Sequence, residues 1–364
     1  MKTVRRFLLL HVLSAVGIVT LAFLALIFFL DTVNDLSNLG KPGFSLTATL
    51  LHVALSLPGR GYEVLPIAIL VGTVFALSSL AASSEFTILR ISGLSPKAAL
   101  GLLLQLGAVF VVTLFVLGEW VAPAASQLAA RLKTGGGAFD TQLVSGIWLR
   151  NDTDRAGTQT VNIRAVGANG DLAGVRIYVL DKQAQLAAEL RASTGTYEGN
   201  GSWLLHDVTR IDLPQQSGGA LKISHQSELP WRTSLSPSVL NVLLLSPDNM
   251  SAIDLWRYIQ HLRANRQAAE RYEIQLWKKL IYPFSSVVML LLALPFAYLH
   301  TRARAISAKV FAGIIIGISF ILLNTLFSSL GLLGTWPPAI TAALPTLLFS
   351  ALGLIVFAWQ VRFR

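Results

Sequence analysis

The chain has 364 residues, of which 53% are hydrophobic and only 13% charged, with a net charge of +10 and no cysteine. A soluble protein of this size carries about 25% charged residues, so a purely soluble globular fold is excluded. The lack of cysteine also excludes disulfides, thiolate metal sites and cysteine nucleophiles. Basic character can indicate nucleic acid, but here the charges sit at the ends of apolar runs, as lipid-facing anchors do.

In chain order, the first element is an apolar run from about residue 7 to 30, preceded by Lys2, Arg5 and Arg6 and followed by Asp31 and Asp35. It is longer than the roughly 7–15 residues of a signal-peptide core and lacks a small-x-small cleavage site, so it reads as a retained membrane helix. Its basic flank predicts a cytoplasmic N-terminus. Residues 44–57 are apolar but too short to cross, and read as an interfacial helix or a slanted extension of the next span. Spans two and three are predicted over about 62–83 and 98–122. At 1.5 Å per residue each can cross a hydrocarbon core of about 30 Å.

Residues 135–250 change character, becoming polar, Gly-rich and strand-like. Six β-rich runs are separated by Gly/Asn/Asp clusters: Leu143–Leu149, Thr158–Val166, Gly174–Leu180, Gln185–Ala192, Trp203–Ile211 and Ala220–Ser224. Such spacing predicts an antiparallel sandwich or jelly roll. A helix follows, with Ser251 as its cap, Asp254 as the acid of the capping box, and Trp256, Ile259 and Leu262 along one side. Three more spans are predicted over about 281–300, 306–330 and 337–360, with kinks at Pro283 and Pro295 matching one at Pro66. The expected division is 1–134 for the first three spans, 135–250 for the β domain, and 251–364 for the linker helix and last three spans. Counting crossings puts both termini and the segment 84–97 inside and the β domain outside. Lys41, Arg60, Arg131, Lys133, Arg271, Lys278 and Lys279 make the outer face less clean in charge. Trp120, Trp277, Trp336, Trp359, Tyr62 and Tyr298 fall near predicted interfaces.

Catalytic patterns are missing. There is no G-x-x-x-x-G-K-[ST] phosphate loop, the six His are scattered with no metal-binding spacing, and the paired serines have no partner base. No catalytic or metal-ligating residue is expected. The most specific segment is Ser83–Ser95, which joins spans two and three. Ser83 or Ser84 can cap a short helix that places Glu85 at its positive end, Phe86, Leu89 and Ile88 on an apolar face, and Gly93 at its stop. Such a helix either lies on lipid or docks into a soluble partner.

Leu65-Pro66-Ile67-Ala68, Leu77-Ser78-Ser79-Leu80-Ala81, Ser84-Glu85-Phe86-Thr87 with Ser92-Gly93, and Gly118-Glu119-Trp120-Val121-Ala122-Pro123 resemble segments of the LptF/LptG (YjgP/YjgQ) family of lipopolysaccharide export permeases. The last run is more similar to the LptG branch. The resemblance covers the whole chain. It implies a six-helix membrane protein of the Gram-negative inner membrane with an inserted periplasmic β-jellyroll, acting as the permease subunit of an ABC transporter. The implied partners are an LptF-like permease, an LptB-like ATPase dimer that binds ATP and Mg, an LptC-like membrane-anchored jelly-roll protein, and an LptA-like periplasmic bridge. No cofactor is implied in this chain, and neither is nucleic acid.

The resemblance also gives expectations for the site. Glu85, with Phe86, Leu89 and Arg90 around it, is the ATPase-coupling contact. Spans one and five supply the gate surfaces, and Phe320, Leu323, Leu326 and Phe327 would line the acyl-chain cavity; Asn324 would bridge helices by hydrogen bonds. Where relatives carry basic residues near the end of span one, this chain has Asp31, Asn34, Ser37 and Asn38. Lipid head-group binding is therefore expected at Arg131 and Lys133, with Lys41 beside them, although long basic side chains there also serve as snorkelling anchors. Acyl chains would slide along an open apolar inner face of the β domain. The competing reading is a membrane scaffold that transports nothing and binds a ligand through its β domain. An ion carrier fits less well, because the span centres lack unpaired acids.

Overall fold

A computed structural model describes residues 2–36, 45–83, 85, 88, 91, 96–133, 146–153, 157–167, 170–181, 183, 185–199, 201–214, 220–233, 237, 247–265, 267–298, 306–334 and 336–362. Six helices among them are long and apolar enough to cross a membrane: span one Arg5–Leu36, span two Leu46–Ala82, span three Ala98–Ala129, span four Glu270–Tyr298, span five Ile306–Gly334 and span six Pro338–Trp359. Six antiparallel strands lie between spans three and four. The fold is thus six membrane helices with an inserted β domain. Two compact units result, one made of Met1–Ser37, Val53–Ser126 and Glu270–Arg364, the other of Asn38–His52 and Gln127–Ala269.

In the helical unit, spans two and four form the centre. Of their most apolar stretches 78% and 67% is buried, against 17% to 28% for the other four. Lipid tails are as apolar as leucine, so helices in a bilayer associate through close packing rather than hydrophobic burial. Close packing accounts for the glycines at the contacts. A Cβ on Gly72 of span two would lie 2.6 Å from the Val16 Cα of span one, and one on Gly317 of span five would lie 2.8 Å from Ile67.

The short apolar segment before span two is its continuous extension, and Leu46–Ala82 contains both Pro58 and Pro66. Span four is broken as its prolines require: helix Glu270–Ile281, a tight turn at Tyr282–Phe284, then Ser285–Ala293 and Pro295–Tyr298. Span three contains a feature the sequence did not suggest. At Leu117–Val121 the helix widens, and the Ala122 N–H donates to the Leu117 carbonyl five residues back. Pro123 cannot donate to the carbonyl four residues before it, and a wider turn accommodates that loss.

The strands are β1 Ile147–Thr153, β2 Gly157–Val166, β3 Leu172–Leu180, β4 Leu186–Gly199, β5 Ser202–Asp212 and β6 Lys222–Arg232. They pair in sequence order as one antiparallel sheet, and a second sheet is not among the described residues. The sequence expected shorter runs for β4 and β6, because their polar residues lie on an exposed face. Alternation buries Val161 and Ile163, Val175 and Ile177, and Leu190 and Ala192 on the inner face.

That alternation breaks along a line across the sheet. The pairing omits Arg164 with Gly174, Gly174 with Ser193, Ser193 with Asp207, and Asp207 with Ser227, then resumes in the same register. Core positions step by three across this line, from Leu172 to Val175 and from Leu205 to Val208. Gly174 (φ +62°) and Asp207 (φ +53°) turn the backbone through the left-handed region there, and Ser193 Oγ donates to Asp207 Oδ2 at 2.7 Å. The crease lets the sheet fold over on itself. Trp231 Nε1 on β6 donates to Gln159 Oε1 on β2 at 3.1 Å, although a flat sheet would hold those strands about 19 Å apart. Trp203, Leu172 and Leu205 are consequently fully buried.

Candidate functional site

The connection between spans two and three carries the expected coupling residues. Glu85 is helical and exposed, as are Ile88 and Ile91, which are 61% and 83% exposed. A spacing of three puts these residues along one side of a helix, so an acid and two branched apolar side chains face outward together. Phe86, Leu89 and Arg90 lie outside the described residues.

At the other end of the bundle, the expected head-group cations are only partly visible. Arg131 and Lys133 fall in the last turn of helix Ala122–Lys133; their side chains, and all of Lys41, lie outside the described residues. A different arginine is well placed. Arg60 of span two donates to Asp31 of span one at 3.1 Å and lies 3.6 Å from Glu63. Asp31 therefore has a partner where relatives were expected to carry positive charge, and its carboxylate ties the ends of spans one and two. The sequence held a signal for this pairing, since opposite charges stand at matching depths on consecutive antiparallel spans.

Next to this pair, the Tyr62 ring packs on the Tyr282 ring at 5.1 Å, and Tyr282 Oη donates to the Glu63 carbonyl at 2.6 Å. Pro66 removes one amide donor from this turn, and a neighbouring span supplies a donor nearby. The widened turn of span three reaches the same place, where a Cβ on Gly118 would lie 2.6 Å from the Tyr62 ring. Spans two, three and four thus meet at one level, where Gly118 of the Gly-Glu-Trp-Val-Ala-Pro run admits the Tyr62 ring and Tyr282 packs on that same ring.

The four expected gate residues do not share one face. Phe320 is fully buried, its ring 6.3 Å from Tyr282 and 5.3 Å from Phe349. Leu323 and Phe327 are half-buried, Phe327 with its ring 6.5 Å from Trp336, whereas Leu326 is 52% exposed on another side. Among the described residues Asn324 does not bridge helices; its Nδ2 donates to the Phe320 carbonyl of its own helix at 2.9 Å. Lys309 of span five is buried and donates to the Phe296 carbonyl at 3.0 Å. That contact places a cation at the last turn of span four, where carbonyls lack helical partners. The interior of the β domain also differs from expectation: along the described strands it is filled by its own Trp203, Leu172, Leu205 and Ile163 rather than open.

No cluster of three or more His, Cys, Asp or Glu able to hold a metal occurs among the described residues. The contacts described here hold helices together and leave two ends of the bundle exposed.

A profile described as lipopolysaccharide export system permease LptF/LptG matches residues 6–359. The chain belongs to the LptF/LptG family. Among curated relatives, the lipopolysaccharide export system permease protein LptG of Escherichia coli (strain K12) is 30% identical over 329 residues, 88% of each chain. The protein of the same description from Haemophilus influenzae is 28% identical over 367 residues, covering 100% of this chain and 99% of that one. The match therefore spans both groups of LptF/LptG helices and the β domain between them.

Proposed function

We propose that this chain is a permease subunit of the transporter that extracts lipopolysaccharide from the inner membrane for export to the outer membrane. The observation that carries the reading is the family match over residues 6–359, on a chain with six spans and an inserted β domain. Lipid extraction needs a helical bundle with a surface that a second half can close. Spans one, three, five and six leave most of their apolar surface uncovered in the single chain, which supports pairing with a second permease of similar design.

Energy comes from a partner ATPase dimer that binds ATP and Mg. Glu85 and the exposed side of its helix form the contact through which closure of that dimer moves the spans. The β domain lies on the periplasmic side with both termini in the cytoplasm, and hands lipid through a membrane-anchored jelly-roll protein to the periplasmic bridge. Arg131, Lys133 and Lys41 meet the lipid phosphates, while span five presents the exposed Leu326 toward the acyl chains, with Phe320 fixing the helix behind it.

The test is charge reversal at the coupling helix. Glu85→Arg should leave the permease expressed and folded while abolishing ATP-driven lipid extraction, and should reduce the ATPase retained on affinity purification. If the variant holds the ATPase and extracts lipid at the wild-type rate, the coupling assignment is wrong.

A further inference from the structure

The inner face of the β sheet is filled, but the outer face has a built surface. Two adjacent rows cross the strands there. One runs Trp148, Asn162, Arg176, Arg191, Thr209, His225, and the other includes Tyr178 opposite Glu189. The Trp148 and Tyr178 rings stack across β2 at 5.9 Å and 14°, and Trp148 remains 56% exposed. The indole is held flat against a second ring and still open to water, so the pair presents an aromatic surface to solvent.

The charges point the same way. Arg176 and Arg191 stand directly opposite each other on β3 and β4, a like-charge pairing that sheets avoid. Arg164 lies along the next row, its side chain over Gly174, where a Cβ would come within 3.0 Å of the Arg164 Cβ. Among these described side chains Glu189 is the one carboxylate beside the stacked rings, engaged by Arg191 through Nε at 2.7 Å and Nη2 at 3.0 Å. Asp207, farther along the Arg164 row, accepts from Ser193. Hydrogen bonding from Arg191 first, and the field of both Arg191 and Arg176, hold the Glu189 carboxyl below its usual range. Positive charge therefore exceeds negative beside an exposed aromatic platform.

We propose that this outer face, through Trp148, Tyr178, Arg176 and Arg191, binds the phosphate-bearing sugar portion of the exported glycolipid. The inference rests on the export reading above, which supplies the ligand. Aromatic faces pack against the apolar C–H faces of sugar rings, and guanidinium forks bind phosphate oxygens bidentately. The two features lie about one strand spacing apart, matching a sugar and its own phosphate.

The experiment uses the intact permease within its transporter complex in lipid nanodiscs. The probe is a fluorescently labelled, deacylated lipopolysaccharide oligosaccharide, with and without its phosphates, and lipid extraction is measured on the same preparation. Wild type should bind the phosphorylated probe; Arg176→Glu should weaken binding by about tenfold or more, and Trp148→Ala by several-fold. Removing the phosphates should weaken binding to wild type and have little further effect on Arg176→Glu. Lys222→Glu, on the edge strand β6, should bind as wild type does. Equal binding by wild type, Arg176→Glu and Trp148→Ala would overturn the proposal, as would a photo-crosslinker at position 178 that captures a protein instead of the oligosaccharide. Extraction without oligosaccharide binding sinks this inference and leaves the export reading intact. Oligosaccharide binding without extraction does the reverse.

Discussion

The membrane bundle and the β domain are held together by opposite means, and the contrast follows from their solvents. In water, the sheet gains stability by burying large side chains, and it creases at Gly174 and Asp207 to enclose Trp203 and Trp231. In lipid, burial of a leucine gains little. The spans instead approach one another at Gly72, Gly118 and Gly317 and are pinned by a few polar contacts, Arg60 with Asp31, Tyr282 with Glu63 and Lys309 with Phe296.

The sharpest way to separate the two regimes is to remove a large side chain from one and add a small one to the other. Trp203→Ala should cost the β domain about 3–5 kcal/mol. Limited proteolysis should then cut between residues 147 and 232 while the spans stay protected. Gly72→Leu should act in the other region, because the new side chain meets Val16 backbone rather than a movable rotamer. Overpacking of that kind costs about 1–3 kcal/mol or more, and should lower the detergent melting temperature while the β domain keeps its protease resistance. If Gly72→Leu leaves melting unchanged, the account of the bundle by close approach fails.

Much of this contrast could be read from the sequence. Six apolar runs and six strand-like runs announced the architecture, because span length and strand alternation are local properties. The crease was not legible: it depends on Asp207 adopting a left-handed backbone, and on register across five strands. Span two is longer than hydropathy suggested, since the helix runs unbroken through Pro58 and Gly59 from the short apolar segment before it. Charge and position single out Glu85 in the sequence, and the structure shows it exposed on a helix. The Asp31–Arg60 pair is legible only when opposite charges at matching depths on consecutive spans are compared, and is missed when each span is read alone. Phe320 looked equivalent to Leu326 in a uniformly apolar helix, and only packing shows that one is core and the other exposed.

Two smaller effects sharpen the comparison. Asp31→Asn should weaken the tie between spans one and two by about 0.5 kcal/mol, because the pair is part-exposed and worth little beyond its geometry. The swap Asp31→Arg with Arg60→Asp should restore most of the loss in a melting series. In the β unit, burial holds the His261 imidazole below its usual range. Unfolded chain then takes up the proton first as pH falls, so the stability at stake is complete above about pH 6.5 and is lost as pH drops through the lower folded value. His261→Gln should flatten that dependence in hydrogen exchange of helix Ala252–Ala264, and an unchanged slope would show that another group titrates.

The central claim is that the helical unit is one half of a lipid extractor. Its most direct test is ATP-dependent release of lipopolysaccharide from proteoliposomes containing this chain, its permease partner and the ATPase, with a soluble periplasmic bridge protein as acceptor. Lipid should appear on the acceptor only when ATP and this chain are both present, and should stop with Glu85→Arg. Transfer at the same rate from vesicles lacking this chain would contradict the account.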